Sequence, residues 1–399
     1  MSETDTTRVI IHSARKLDVD GLVDDFWLAS EGDTIVAVGH GTGWREHVAE
    51  SDVVGYDVVD AGGHWLTPGF IDLHCHGGGG FSFDTLDDDT GASALIGGLA
   101  VHRAHGTTRS VISLVSNPID RLLLSLALIA DLTAIDPLVL GSHLEGPFLS
   151  PGQRGAHNPA FLCEPGPEML EELLGAARGT LRQLTIAPEL PDALEAIGVL
   201  TEAGVVVAVG HTEADYDLAA RAFDIGARIL THAFNAMPGI HHRKPGPVLA
   251  AVDNESTTLE LVLDGVHVHP RVAKLAFEAA PGRIALITDA MAATDSADGH
   301  YTLGSLDVTV FDGRAVLAGT TSIAGSTLTQ DVALRIAVAS GIEPRAAVEA
   351  LTATPAAALS LDHRLGRLKV GYAADAVLLN HEWAVQRVWA AGRSLRDAS

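Results

Sequence analysis

The hydrophobic pattern changes texture near residue 65. Before that point lie short apolar stretches, at 8–13, 26–28, 34–38 and 53–59, separated by Gly-Asp and Asp-Gly turns. Such stretches predict strands, with no helical periodicity between them. They form a small β unit, not a complete domain.

From residue 65, continuous apolar runs of strand length alternate with Ala- and Leu-rich stretches of helix length. The runs are 66–73, 108–115, 138–143, 181–187, 205–209, 228–230, 258–263 and 283–288. Unbroken runs predict strands buried on both faces, as in a parallel sheet. Helices are expected at 91–104, 119–132, 167–177, 191–203, 214–225 and 270–280. Strands joined by crossover helices in this number predict an α/β fold, a (β/α)8 TIM barrel. An open doubly wound sheet is the competitor, but it carries a Gly-x-Gly-x-x-Gly loop after its first strand. Gly77-Gly78-Gly79-Gly80 lacks that spacing, and no acidic ribose partner is evident.

Downstream, 302–317 reads as a hairpin with Asp312-Gly313 at its turn. Helices follow at 326–339 and 344–359, then strands at 375–379 and 386–389. Neither terminal β segment is large enough to fold alone. Both are expected to pair into one small β domain, residues 1–62 and 365–399, beside a barrel over 63–364.

Composition narrows the partners. The chain has 399 residues, 47% hydrophobic, enough for a large interior. With 26 Lys and Arg against 51 Asp and Glu, the net charge of −25 argues against nucleic acid or an anionic membrane. An anionic small substrate needs a local cluster of donors. Two cysteines, Cys75 and Cys163, cannot form a disulfide framework, which suits a reducing compartment. The polar, acidic start over 1–7 lacks a charged-then-apolar signal pattern. The most apolar segment, 122–130, is far short of the roughly 20 residues of a membrane span. The expectation is a cytoplasmic protein.

Candidate chemistry gathers where the strands end. Side chains at i and i+2 share a face, so His74 and His76 can converge while Cys75 points away. The third strand ends at Glu145, the fifth at His211, the sixth at His232, the seventh at His267 and the eighth at Asp289. In a barrel these positions form one rim, where active sites lie. Histidine and carboxylate without thiolate suit Zn, Fe(II) or Co, with positions left open for water. Such a site makes a nucleophile at neutral pH. Asp289 is then either the carboxylate that takes the water proton or a metal ligand without that role. This logic gives hydrolysis of an amide, an ester or a related C–N bond. Arg154-Gly155-Ala156-His157, Asn235-Ala236-Met237, and Arg243 with Lys244 follow in rim loops and could supply the missing anion site. The small residues of 319–326 could bring backbone close to a ligand.

Together these stretches resemble the N-acetylglucosamine-6-phosphate deacetylase family of the amidohydrolase superfamily. The matching pieces are Pro68-Gly69-Phe70-Ile71-Asp72, His74-Cys75-His76-Gly77-Gly78, His143-Leu144-Glu145-Gly146-Pro147-Phe148, Gly155-Ala156-His157, Gly210-His211-Thr212, Thr231-His232-Ala233-Phe234-Asn235-Ala236-Met237-Pro238, Asp264-Gly265-Val266-His267 and Thr288-Asp289-Ala290-Met291. The resemblance implies a barrel with a split β domain and a homodimer. It implies Glu145, His211 and His232 as the main ligands of a divalent metal, Zn2+ or Fe2+. His74 and His76 match members that hold a second ion, so one or two per subunit are expected. Asp289 matches the catalytic acid and base. His267, His157 and the Ala156 backbone match sugar and acetyl contacts. Asn235, Ala236 and Arg243 match phosphate contacts, the arginine acting either in its own subunit or across the dimer. A family stretch Gly-Thr-Leu-Ala-Gly-Ser stands here as Thr321-Ser322-Ile323-Ala324-Gly325-Ser326, which makes Ile323, Ala324 and Gly325 substrate contacts. The implied reaction deacetylates N-acetylglucosamine 6-phosphate to glucosamine 6-phosphate and acetate, in amino-sugar catabolism and cell-wall sugar recycling. Another amino-sugar phosphate of galactosamine type, or a cyclic amide, is the alternative substrate. A non-catalytic barrel is the alternative from another class.

Overall fold

The computed structural model describes residues 7–50, 55–84 and 91–396. Residues 1–6 of the polar start, and 53 and 54 of the fourth expected strand, lie outside the described residues.

Eight strands pair in parallel and in chain order: β1 (Phe70–Cys75), β2 (Thr107–Val115), β3 (Val139–Glu145), β4 (Leu181–Ile186), β5 (Val206–Val209), β6 (Ile229–Leu230), β7 (Thr258–Val262) and β8 (Ile284–Ile287). Every residue of β1, β2, β3, β7 and β8 is buried, which is why their sequences do not alternate. The cylinder closes through residues just past the strand ends. Asp289 N donates to His74 O at 2.9 Å and His76 N donates to Ala290 O at 2.8 Å. Closure therefore depends on the same backbone that carries candidate site residues.

Crossover helices Gly91–Ala104, Ile119–Ile135, Pro167–Ala177, Ala193–Glu202, Tyr216–Ile225 and Pro270–Ala279 lie where the sequence places them, within a few residues. A further helix, Gly246–Asp253, joins β6 to β7. It was not expected, because a mostly buried short helix shows no polar face and hence no period.

The second sheet takes strands from both ends of the chain. Its order is Arg393–Arg396, Val385–Ala390, Ala376–Leu379, Trp65–Pro68, Arg8–Asp18, Gly21–Glu31 and Thr34–His40, with Asp57–Asp60 also on Arg8–Asp18. The apolar run at 66–73 is thus two strands in two sheets, and the terminal sheet reaches Pro68 rather than stopping at 62. Gly69 makes the corner. Its N–H donates to Asp375 O at 3.0 Å. A Cβ there would lie 2.1 Å from Thr108 Oγ1, so only glycine lets β2 pass. A short helix, Gly43–Glu50, also sits within the N-terminal β unit, where no helical period was read.

The expected hairpin is a three-stranded meander, Gly299–Leu303, Leu306–Phe311 and Arg314–Leu317. Asp312 and Gly313, at φ 49 and 68, make its second turn as a two-residue connection requires. The helix expected over 326–339 begins at Gln330, and that over 344–359 divides into Pro344–Leu351 and Ala353–Ala358 at Thr352. Among the described residues no helix is long and apolar enough to cross a membrane.

Candidate metal centre and active site

Glu145, the last residue of β3, is the node of the rim. Its Oε1 lies 2.9 Å from His232 Nε2, 3.0 Å from His211 Nε2 and 3.5 Å from His74 Nε2. Its Oε2 lies 3.2 Å from His76 Nε2 and 3.3 Å from His157 Nε2. The Nε2 atoms of His74 and His76 are 2.9 Å apart, and those of His211 and His232 are 3.0 Å apart. All of these side chains are buried. Two ring nitrogens at such a distance can share only one proton. Imidazole lone pairs crowded around one carboxylate fit a divalent cation of the zinc or iron type.

The charge balance agrees. Burial alone would push the Glu145 carboxyl up, but the surrounding imidazoles, His74 foremost, hold it well below the usual range. Burial works against a proton on His74, yet Glu145 and Asp289 outweigh it and raise His74 well above an ordinary imidazole. Burial drives His157 down to about 4. His143, from the same stretch as Glu145, is also driven down by burial. It bonds Ser113 Oγ and Thr185 Oγ1 at 2.9 and 2.8 Å and packs edge-on under His74.

Asp289 stands at the edge of this cluster. Its Oδ1 lies 3.5 Å from His76 Nε2 and 3.6 Å from His74 Nε2. Ser326 N donates to its backbone oxygen at 2.7 Å, so the residue is held from both sides. His267 Nε2 lies 3.9 Å from Asp289 Oδ2, while His267 Nδ1 donates to Asp264 Oδ2 at 2.7 Å. Burial opposes charge on His267, and Asp264 outweighs it, so this imidazole is raised above its ordinary range. His211, His232, Ala236 and Asp289 all have positive φ, at 47, 28, 49 and 49°. Left-handed backbone at non-glycine residues costs on the order of 1–3 kcal/mol each and clusters at functional sites.

A cavity of about 360 Å³ opens over these groups. His76, Glu145, His157, His211, His232, His267 and Asp289 line it, with Ala156, Asn235, Ala236, Ile323 and Gly325. His74 and Ala324 are fully buried and do not line it. Arg243 is exposed and lies outside it, its guanidinium making no hydrogen bond or ion pair among the described residues. The loop of residues 236–245 thus keeps its backbone at the cavity through Ala236 while its tip turns to solvent. Arg314 is instead the one Lys or Arg among the described lining residues. Nothing in the sequence pattern marks Arg314 or the lining residue Gln153, whose carbonyl faces His211 Nδ1 at 2.8 Å. Asp264 had a signal: it stands three residues before His267, at turn spacing.

Fold and rim define a class, the barrel hydrolases whose chemistry sits on histidines and carboxylates at the strand ends. The chain belongs to the amidohydrolase family, whose pattern matches residues 65–395. It is 35% identical over 389 residues to an N-acetylgalactosamine-6-phosphate deacetylase of Escherichia coli O157:H7, covering 96% of this chain and 98% of that protein. It is 36% identical over 349 residues to an N-acetylglucosamine-6-phosphate deacetylase of Danio rerio, covering 84% and 86%. A mutant N-acetyl-D-glucosamine-6-phosphate deacetylase of Mycobacterium smegmatis, solved in complex with N-acetyl-D-glucosamine-6-phosphate, superposes with a TM-score of 0.88. Its sequence identity is 40%, covering 98% of this chain and 99% of that one.

Proposed function

We propose that this protein is a metal-dependent amide hydrolase. It removes the acetyl group of N-acetyl-D-glucosamine 6-phosphate, giving D-glucosamine 6-phosphate and acetate. The observation that carries the reading is the Glu145 node: imidazoles meet both of its oxygens, beside Asp289, on the floor of a sugar-sized cavity. Similarity to deacetylases of hexosamine phosphates supplies the substrate class.

Glu145, His211 and His232 are the residues that would hold a divalent cation, Zn2+ or Fe2+, with His74 and His76 providing for a second. A cation bound there supplies Lewis acidity, which polarises a carbonyl and makes a water more acidic. The chain does the rest. Asp289 takes a proton from the attacking water as its oxygen adds to the acetyl carbon. As the C–N bond breaks, Asp289 returns that proton to the amine nitrogen. His267, fixed by Asp264, and His157 orient the sugar and its acetyl group with the Ala156 backbone, while Ile323, Ala324 and Gly325 shape the wall. Asn235 is braced by donating to His232 O at 3.1 Å. With Ala236 it receives the phosphate, and Arg243 of a second copy completes that anion site. The working state is accordingly a homodimer, and its free cysteines suit the cytoplasm.

The galactosamine-type reading is favoured by one observation, the full-length match to the Escherichia coli relative. Acetate release from N-acetylglucosamine and N-acetylgalactosamine, each with and without the 6-phosphate, tests both. The reading requires that N-acetylglucosamine 6-phosphate be turned over fastest and the unphosphorylated sugars poorly. Equal turnover without phosphate would remove the anion site from the account.

A further inference from the structure

Behind the first-strand histidines stand two buried carboxylates that the reaction does not use. Glu260, on β7, places Oε2 3.5 Å from His74 Nδ1, and both side chains are fully buried. Asp84 places Oδ2 3.7 Å from His76 Nδ1, again with both buried. None of these four atoms has a hydrogen-bond partner among the described residues. The remaining oxygen of each acid is anchored. Gln183 Nε2 donates to Glu260 Oε1 at 2.9 Å, and Val115 N donates to Asp84 Oδ1 at 2.6 Å.

The same arrangement thus occurs twice, on separate elements, at the two histidines of one strand. A buried carboxylate oxygen without a donor is costly, and so is a buried imidazole N–H without an acceptor. At 3.5 and 3.7 Å the two pairs stand more than half an ångström beyond an ordinary hydrogen bond, and a small approach within each would relieve both costs at once. A neutral imidazole has a single ring proton. Holding it on Nδ1 leaves the Nε2 lone pair facing Glu145.

We propose that Glu260 and Asp84 are positioning carboxylates that hold His74 and His76 as Nδ1–H tautomers, presenting both Nε2 lone pairs to a cation. The inference rests on the metal-dependent reading above. It assigns the affinity of the first-strand half-site to residues that touch neither substrate nor cation.

Chelator-treated protein titrated with Co2+ tests it through the visible absorption bands. In Glu260→Gln and in Asp84→Asn, Co2+ affinity through His74 and His76 should fall about 10–100-fold with shifted bands. Wild-type affinity and bands in both variants would overturn the proposal. Absence of Co2+ binding to the wild type would overturn the metal-dependent reading itself, a distinct result. Zinc-loaded wild type labelled with 15N-histidine gives an answer without any variant. Nδ1–H signals at His74 and His76 support the proposal, and Nε2–H signals overturn it.

Discussion

Arg109 and Asp375 form a buried two-pronged ion pair that ties the barrel to the terminal sheet. Arg109 Nε lies 2.6 Å from Asp375 Oδ2 and Nη2 lies 3.0 Å from Oδ1. The pair joins residues 266 positions apart. Asp375 Oδ1 also accepts from Ala391 N at 2.7 Å. Removing one partner leaves a buried charge uncompensated, which costs about 3–5 kcal/mol. Asp375→Ala should lower stability by that amount in urea unfolding. A loss below about 1 kcal/mol would mean the pair is not holding the two units together.

Asp289 is placed to move a proton, and its amide cannot do so. Asp289→Asn should keep its metal, measured by elemental analysis, while kcat falls by about 10²–10⁴-fold. Turnover near wild type would take the proton-transfer role away from Asp289. Loss of metal together with turnover would make it a ligand first.

The corner at Gly69 has no room for a side chain. Gly69→Ala would set a Cβ 2.1 Å from Thr108 Oγ1 and 2.5 Å from its Cγ2. Overpacking of this kind costs about 1–3 kcal/mol. Adding Thr108→Ala should restore part of the melting temperature. A single variant as stable as wild type would show that β2 yields freely.

Asp331 lies in the first turn of the helix Gln330–Ala339 and is mostly buried. Burial would raise its carboxyl, but bonds from His105 and Thr329 and the charge of Arg335 outweigh this and lower it to about 2. A depressed carboxylate stabilises the fold above its unfolded pKa of about 4, and that contribution fades as pH falls towards 2. Asp331→Asn should therefore cost on the order of 2 kcal/mol at pH 7, with the difference from wild type shrinking below pH 4. A difference that is flat from pH 7 to 3 would contradict the assigned cause.

The sequence revealed the barrel and much of the rim for one physical reason. Strands buried on both faces leave unbroken apolar runs, and their last residues are identifiable without knowing any loop. Glu145, His211, His232 and Asp289 all follow such runs, and the structure brings them together. Where position depends on a loop's path, the sequence is silent. Arg243 turns outward from the cavity, and Arg314 reaches it from a meander with no motif of its own. The break at Gly69 was hidden because strands of two different sheets are both apolar there. Glu260 and Asp84 were hidden because a carboxylate behind a histidine has no spacing rule, only a spatial one.

The central claim is that the Glu145 cluster works by holding a cation for amide hydrolysis. Acetate release from N-acetylglucosamine 6-phosphate should be measured on one chelator-treated sample, before and after adding back Zn2+ or Fe2+. The account predicts little acetate from the stripped protein and restoration by about one or two equivalents of metal per chain. Full activity in the stripped protein, or none after metal is restored, would contradict it.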